Sequence, residues 1–371
     1  MAQMYLISNI MRLKNYYLVL GVLVAIVLLF ACRKKDSNPQ GNDWGPYNPT
    51  PYTIDVPEGF PEPVIPEFNK MTVEGVNLGR YLYYDNILSS NGLSCNSCHI
   101  RSLSFSKQLF VTLAGETKSI PPHVNLAWNP DFNWTGSEPV LDNLCLGDFE
   151  PEFFNTNKDS LFSRLSKSSI YPEKFYKAFG IEDINKLSYA ELKQKIVYAI
   201  SQFMRTMVSS NSKYNKFIHH QAMMTPSEIR GFNIFFTEKG DCFHCHGGDL
   251  TTDNSFHNTG LDANPTSFNM GRYNYTGNPN DIGKFSTPTL INIELTAPYM
   301  HDGRFQTLEE VIEFYNSGVH NTSPNIDPIM TKPGKEYGLG LTPMEKADLL
   351  NFLKTFTDTS FINNPAYFNP L

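Results

Sequence analysis

The chain has 371 residues, 41% hydrophobic and 18% charged, which excludes a disordered polymer and suits a soluble globular body of about two domains. A net charge of −7 argues against a nucleic-acid partner, which would need a basic face. Six cysteines are too few for a disulfide scaffold of this size, so their arrangement carries the information.

Residues 1–31 read as a lipoprotein signal peptide. Arg12 and Lys14 supply positive charge, and the apolar run from Tyr16 to Phe30 is shorter than the ~20 residues that span a bilayer. It ends in Leu29-Phe30-Ala31-Cys32, which resembles a bacterial lipoprotein cleavage box with Cys32 as the lipidated residue. Met11 is an alternative start, and a single anchor helix is the alternative reading. Both readings put the body in the cell envelope, tethered to a membrane and facing the periplasm. Residues 32–67 are rich in Pro, Asn and Gly and form a linker, a stalk whose second half either stays extended or packs along the body.

Helical spacing of apolar residues marks Lys70–Tyr84, Tyr189–Val208, Pro226–Thr237, Leu308–Tyr315 and Pro343–Phe356. Pro226 and Pro343 each follow a threonine suited to capping. No run of alternating strands appears, so the fold is expected to be mainly α. Two domains with long loops would span 68–215 and 216–360, with a tail at 361–371.

Cys95-Asn96-Ser97-Cys98-His99 and Cys242-Phe243-His244-Cys245-His246 each read C-x-x-C-H, the attachment signature of c-type haem. Two thiols add across the vinyl groups of one porphyrin, and the adjacent histidine turns beneath it to ligate iron. A thioredoxin-like redox pair needs no histidine in fifth place, and a zinc site needs two more ligands close by. Two covalently bound c-type haems are therefore expected, one in each of two cytochrome c-like haem domains. Cys145 is left without a partner and reads as a small buried hydrophobe.

Other segments carry a family resemblance. Leu78-Gly79-Arg80 through Tyr84-Asp85, then Leu88-Ser89-Ser90-Asn91-Gly92, resembles the entry to the first haem site of bacterial dihaem cytochrome c peroxidases and their MauG-type relatives. Asn129 to Trp134, Phe256 to Gly260, Ser286 to Leu290 and Thr296 to Gly303 are similar to further blocks of that family. The resemblance implies a peroxidase that reduces hydrogen peroxide to water. The haem on His99 would be peroxidatic, and the one on His246 would pass electrons. A MauG-like enzyme oxidising a protein or organic substrate is the alternative, and a passive dihaem electron carrier is a third reading.

The remaining site residues follow from the same resemblance. The loop Ile100–Ile120 lacks the histidine that closes the first haem in some members, so that iron is expected to be open. His123 is expected to be structural or on the surface. Tyr315 matches the MauG-type sixth ligand of the second haem, with Met300 as the alternative and Met270 as another candidate; a core tyrosine is the bland reading of Tyr315. Glu152 matches the acid/base carboxylate, Glu150 is the runner-up, and either could be an ordinary surface group. Trp134 matches the tryptophan between the haems, or is simply a core aromatic; Thr135-Gly136-Ser137 after it departs from the family's Asp-Gly-Arg. Thr296 and Pro298 match the carbonyl positions of one calcium site, and Ser119 stands where the family has asparagine. The donor would be a small c-type cytochrome, a cupredoxin or a quinol-linked donor, and a homodimer is a further expectation by analogy.

Overall fold

The computed structural model describes residues 44–112 and 115–371. The signal segment and Cys32 lie outside the described residues. Among the described residues the longer helices include α1 (Val73–Tyr84), α2 (Lys158–Lys167), α3 (Tyr171–Phe179), α4 (Tyr189–Arg205), α5 (Pro226–Phe235), α6 (Leu308–Glu313) and α7 (Pro343–Leu353). Two short antiparallel pairs join β1 (Lys107–Val111) to β2 (Thr117–Ile120) and β3 (Phe256–His257) to β4 (Phe285–Ser286). The chain is helix-rich, as its periodicity predicts. The sequence reading did not pick out α2 and α3, whose apolar faces are short. Among the described residues no helix is long and apolar enough to cross a membrane.

The helix starts are built from local chemistry. Ser188 and Glu191 close a reciprocal capping box on α4, as do Thr225 and Glu228 on α5 and Thr342 and Glu345 on α7. Pro226 and Pro343 occupy first-turn positions, where a missing N–H costs nothing.

Two helix crossings organise the unit Asn48–Leu371, which contains both C-x-x-C-H motifs. α1 buries Gly75, Leu78, Gly79 and Leu82 against α4, and α5 buries Gly231, Ile234 and Phe235 against α7. At each crossing a glycine removes the side chain that would hold the helices apart. A Cβ on Gly79 would lie 1.9 Å from the Ala199 carbonyl oxygen, and one on Gly231 would lie 2.1 Å from that of Asp348. Burying each leucine or phenylalanine there stabilises the fold by about 2 kcal/mol.

The crossings belong to an internal repeat. Asn125 and Asn292 both adopt left-handed backbone, at φ 57° and 63°. The Asn125 N–H donates to the Met207 carbonyl and its side-chain oxygen accepts from the Ser209 N–H, at 2.9 and 2.8 Å. Asn292 repeats this with Phe356 and Asp358, at 3.0 and 2.7 Å. Each asparagine thus ties the segment after a haem motif to the end of that half's last helix.

The prolyl segment before α1 lies on the body over its second half. Phe60 packs edge-on to Trp128 with ring centroids 5.0 Å apart, and the Trp128 indole N–H donates to the Pro61 carbonyl at 2.5 Å. Ile54, Phe60, Met71 and Trp128 form a small satellite core there.

Candidate haem sites

Each C-x-x-C-H motif forms a tight turn, Cys95–Ser97 and Cys242–His244, closed by its histidine. The His99 N–H donates to the Cys95 carbonyl at 2.8 Å, and the His246 N–H to that of Cys242 at 2.9 Å. Both imidazoles are then held through Nδ1, by the Phe105 carbonyl at 2.9 Å and the Thr251 carbonyl at 3.1 Å. The two acceptors match: each is fully buried with left-handed backbone, at φ 57° and 50°. A ring donating Nδ1–H to a carbonyl keeps Nε2 as its ligating atom, the arrangement that orients metal-bound histidine. Burial lowers His99 to about 4 and His246 below its ordinary value, so both rings are neutral at pH 7, as an iron ligand must be.

The space beside each histidine suits a flat apolar group. A cavity of about 240 Å³ beside His246 is lined by Cys242, Cys245, Met300 and Tyr315 within walls of Leu, Ile, Val and Phe. Another of about 440 Å³ beside His99 is lined by Cys95, His123, Asp148 and Glu152. A motif thiol, a neutral imidazole and apolar side chains converge in both, with more polar groups in the first, so the residues fit one haem each.

Trp134 lines both cavities, together with Ser286, Thr287 and Pro288. Its indole N–H donates to the Ser119 carbonyl at 2.8 Å. A reciprocal exchange fixes this boundary: the Ser119 N–H donates to the His301 carbonyl at 2.9 Å, and the Ser286 N–H to the Trp134 carbonyl at 2.8 Å. Ser119 and Ser286 are therefore mates in the repeat, as are Trp134 and His301. Asn133 and Met300, which precede them, share left-handed backbone at φ 65° and 67°.

The sixth-ligand candidates separate in space. Met300 and Tyr315 both face the cavity of His246, whereas Met270 is not in its lining. Tyr315 sits in a single π-helical turn, Phe314–Gly318, that follows α6 directly. Such turns re-aim a side chain by one position and are frequent at functional sites. Burial raises the Tyr315 phenol, and the nearby Cys245 and Cys242 thiols add to this. It keeps its proton at pH 7 unless a cation displaces it.

Of the two glutamates, Glu152 lines the cavity of His99 and Glu150 does not; Glu150 is 66% exposed and pairs with Lys193 at 3.7 Å. Asp148 is a group the sequence reading passed over. It faces the same cavity, and burial pushes it up to about 7 against a thiol hydrogen bond from Cys145 that lowers it. Cys145 is buried as expected, yet it too lines this cavity. Nothing in the spacing of these residues signals that they converge.

Of the two positions expected for His123, structural or on the surface, the structure gives the structural one. The residue is buried, its ring stacks on His99 with centroids 3.5 Å apart at 19°, and the Tyr83 hydroxyl lies 3.1 Å from its Nδ1. Its sequence environment is apolar, and only the packing of α1 against the first haem motif brings these three rings together.

Comparison with known proteins agrees with this geometry. Residues 73–223 match the family described as di-haem cytochrome c peroxidase. The chain is 31% identical over 318 residues to the methylamine utilization protein MauG of Methylorubrum extorquens, covering 81% of this chain and 82% of that protein. It is 29% identical to the cytochrome-c peroxidase IdrP2 of Denitromonas iodatirespirans, covering 79% and 84%. The crystal structure of a MauG-like protein associated with microbial copper homeostasis superposes with a TM-score of 0.75 at 34% identity, covering 86% of this chain and 99% of that one. Shared sequence over four-fifths of its length and a shared fold mean that this chain belongs to the dihaem cytochrome c peroxidase and MauG family, peroxidase-type oxidoreductases that carry two haems.

Proposed function

We propose that the protein reduces hydrogen peroxide to water at the N-terminal haem, with electrons entering through the C-terminal one. Cys95, Cys98 and His99 would hold the first group, and Cys242, Cys245 and His246 the second. Bound haem supplies an iron that takes up a peroxide oxygen and exchanges single electrons. The chain's own residues do the rest. Glu152, in the wall of the same cavity as His99, would carry a proton from one peroxide oxygen to the other. Trp134, common to both cavity walls, would carry electrons across the boundary between the halves.

The observation that carries this reading is the asymmetry of the two cavities. Besides His99, the first is lined by one other potential iron ligand of His or Met type, His123, which lies alongside His99. The second offers both Met300 and Tyr315. With haem bound, such linings would leave the first iron accessible to peroxide and offer the second a further ligand from Met300 or Tyr315, the division of labour a peroxidase needs and a passive carrier does not. The test is denaturing extraction followed by steady-state peroxide turnover. About two haems per chain should stay attached, and turnover should be supported by small c-type cytochromes; one haem, or a resting ferric spectrum without a high-spin component, would defeat the proposal.

A MauG-like oxidation of a protein or organic substrate is the second reading, favoured by Tyr315 on its π-turn. A tyrosinate would keep the second haem ferric where a methionine would let it be reduced. Cupredoxins and quinol-linked donors are further candidates for the electron source. A calcium ion on the Thr296 and Pro298 carbonyls, with Ser119 in the place of the family's asparagine, is proposed from the family resemblance alone. Lipidation at Cys32 would hold the protein in the cell envelope facing the periplasm, and Cys32→Ser should abolish labelling by a fatty-acid analogue. A homodimer is proposed by analogy alone.

A further inference from the structure

The two haem cavities are built from matched parts, and one matched position differs in kind. In the C-terminal half the Leu290 N–H donates to the side-chain oxygen of Thr251, the residue whose carbonyl holds His246. In the N-terminal half the His123 N–H donates at 3.2 Å to the Phe105 carbonyl, which also holds His99. Leu290 lies two residues before Asn292, and His123 two before Asn125, so backbone and register both pair them. A leucine therefore stands at the matched position in one half and an imidazole in the other.

That imidazole is deliberately seated. Its ring lies face to face on His99, at 3.5 Å and 19°. Its Nδ1 is 3.1 Å from the hydroxyl of Tyr83, a fully buried side chain on α1 wedged among Tyr84, Phe105 and Phe203. The hydroxyl–imidazole bond stops His123 from swinging, because Tyr83 is itself locked by packing. A carbonyl accepts hydrogen bonds over a broad range of angles, so the bond to Phe105 leaves the plane of the His99 ring only loosely set. A flat ring in van der Waals contact with its face removes that freedom, and Leu290, at the matched position of the other half, offers no flat ring.

We propose that His123, anchored by Tyr83, is a positioning residue that fixes the plane of the His99 imidazole and thereby tunes the N-terminal haem. The inference rests on His99 being that haem's iron ligand. A ligand ring held in one orientation gives its iron a single electronic environment, while a ring free to rotate gives a spread of them.

The test uses the dihaem protein and three variants. His123→Leu installs the residue already accommodated at the matched position. It should broaden or split the ferric electron paramagnetic resonance signal of the N-terminal haem and shift that haem's midpoint potential, leaving the C-terminal signal unchanged. His123→Phe restores a flat ring and should return the narrow signal. Tyr83→Phe removes the anchor and should broaden the same signal. An unchanged N-terminal signal in His123→Leu would overturn the proposal, as would equal changes at both haems or a His123→Phe spectrum resembling that of His123→Leu. A wild-type N-terminal signal that survives His99→Ala would instead defeat the ligand reading beneath it.

Discussion

Asp148→Asn isolates a carboxyl that the fold holds in an unfavourable place. Asp148 faces the cavity of His99, and burial raises it from 3.8 to about 7, with the Cys145 thiol only partly opposing. A displacement of about 3 units at about 1.4 kcal/mol each means that ionising this group in the folded protein costs about 4 kcal/mol more than in the unfolded chain. The sign follows from proton counting. Between pH ~4 and ~7 the folded state retains a proton that the unfolded state has released, so stability falls as pH rises through that window, by about 1.4 kcal/mol per unit, and levels off above ~7. Asparagine keeps the shape and removes the titration. Urea denaturation of the dihaem protein at pH 5, 6, 7 and 8 should show Asp148→Asn gaining roughly 2 kcal/mol on wild type between pH 5 and 7, and little more by pH 8. A wild-type-to-variant difference that does not change with pH would refute the reasoning. The same titration should bend the pH profile of peroxide turnover near neutrality, because the charge appears in the cavity wall that also bears Glu152.

Three further outcomes are expected. Glu152→Gln should slow peroxide cleavage by roughly 10²-fold or more while Glu150→Gln leaves it near wild type, measured by stopped-flow mixing with peroxide; the reverse ranking would mean that the exposed carboxylate acts. In a redox titration followed by electron paramagnetic resonance, Tyr315→Phe should disturb the C-terminal signal and Met300→Leu should not; a disturbance from Met300→Leu alone would make Met300 the ligand and remove the main support for the MauG-like reading. Gly79→Ala gains up to about 1 kcal/mol of helix propensity. Because the new Cβ would meet the Ala199 carbonyl oxygen at 1.9 Å, overpacking of about 1–3 kcal/mol should outweigh that gain, and a melting temperature equal to or above wild type would show that the crossing can relax.

Features whose parts lie within a few residues were readable from the chain alone. C-x-x-C-H places two thiols and an imidazole on one turn through covalent connectivity, so each haem motif was legible without any fold. Helix starts were legible for the same reason: Thr225-Pro226 through Glu228 and Thr342-Pro343 through Glu345 contain the cap, the first-turn proline and the reciprocal acid in four residues. The family blocks extended that reading to Trp134, Glu152 and Tyr315, but as positions in an order, without distances.

The tertiary structure decided what those positions meet. Glu150 and Glu152 are two residues apart and equally acidic in sequence, yet only Glu152 enters the cavity wall, because Glu150 turns outward to Lys193. Asp148 and Cys145 join His99 only because the chain after Trp134 folds back over the first haem motif. His123 is 24 residues from His99 and 40 from Tyr83, and the three meet because α1 packs tightly enough on α4, through Gly79, to bring Tyr83 beneath them. The internal repeat was hidden for a related reason. Asn125 with Asn292 and Ser119 with Ser286 keep their side chains, but the residues around them do not, as Trp134 differs from His301 and His123 from Leu290, so matches this sparse do not stand out in the sequence and shared backbone conformation and hydrogen bonds align the halves.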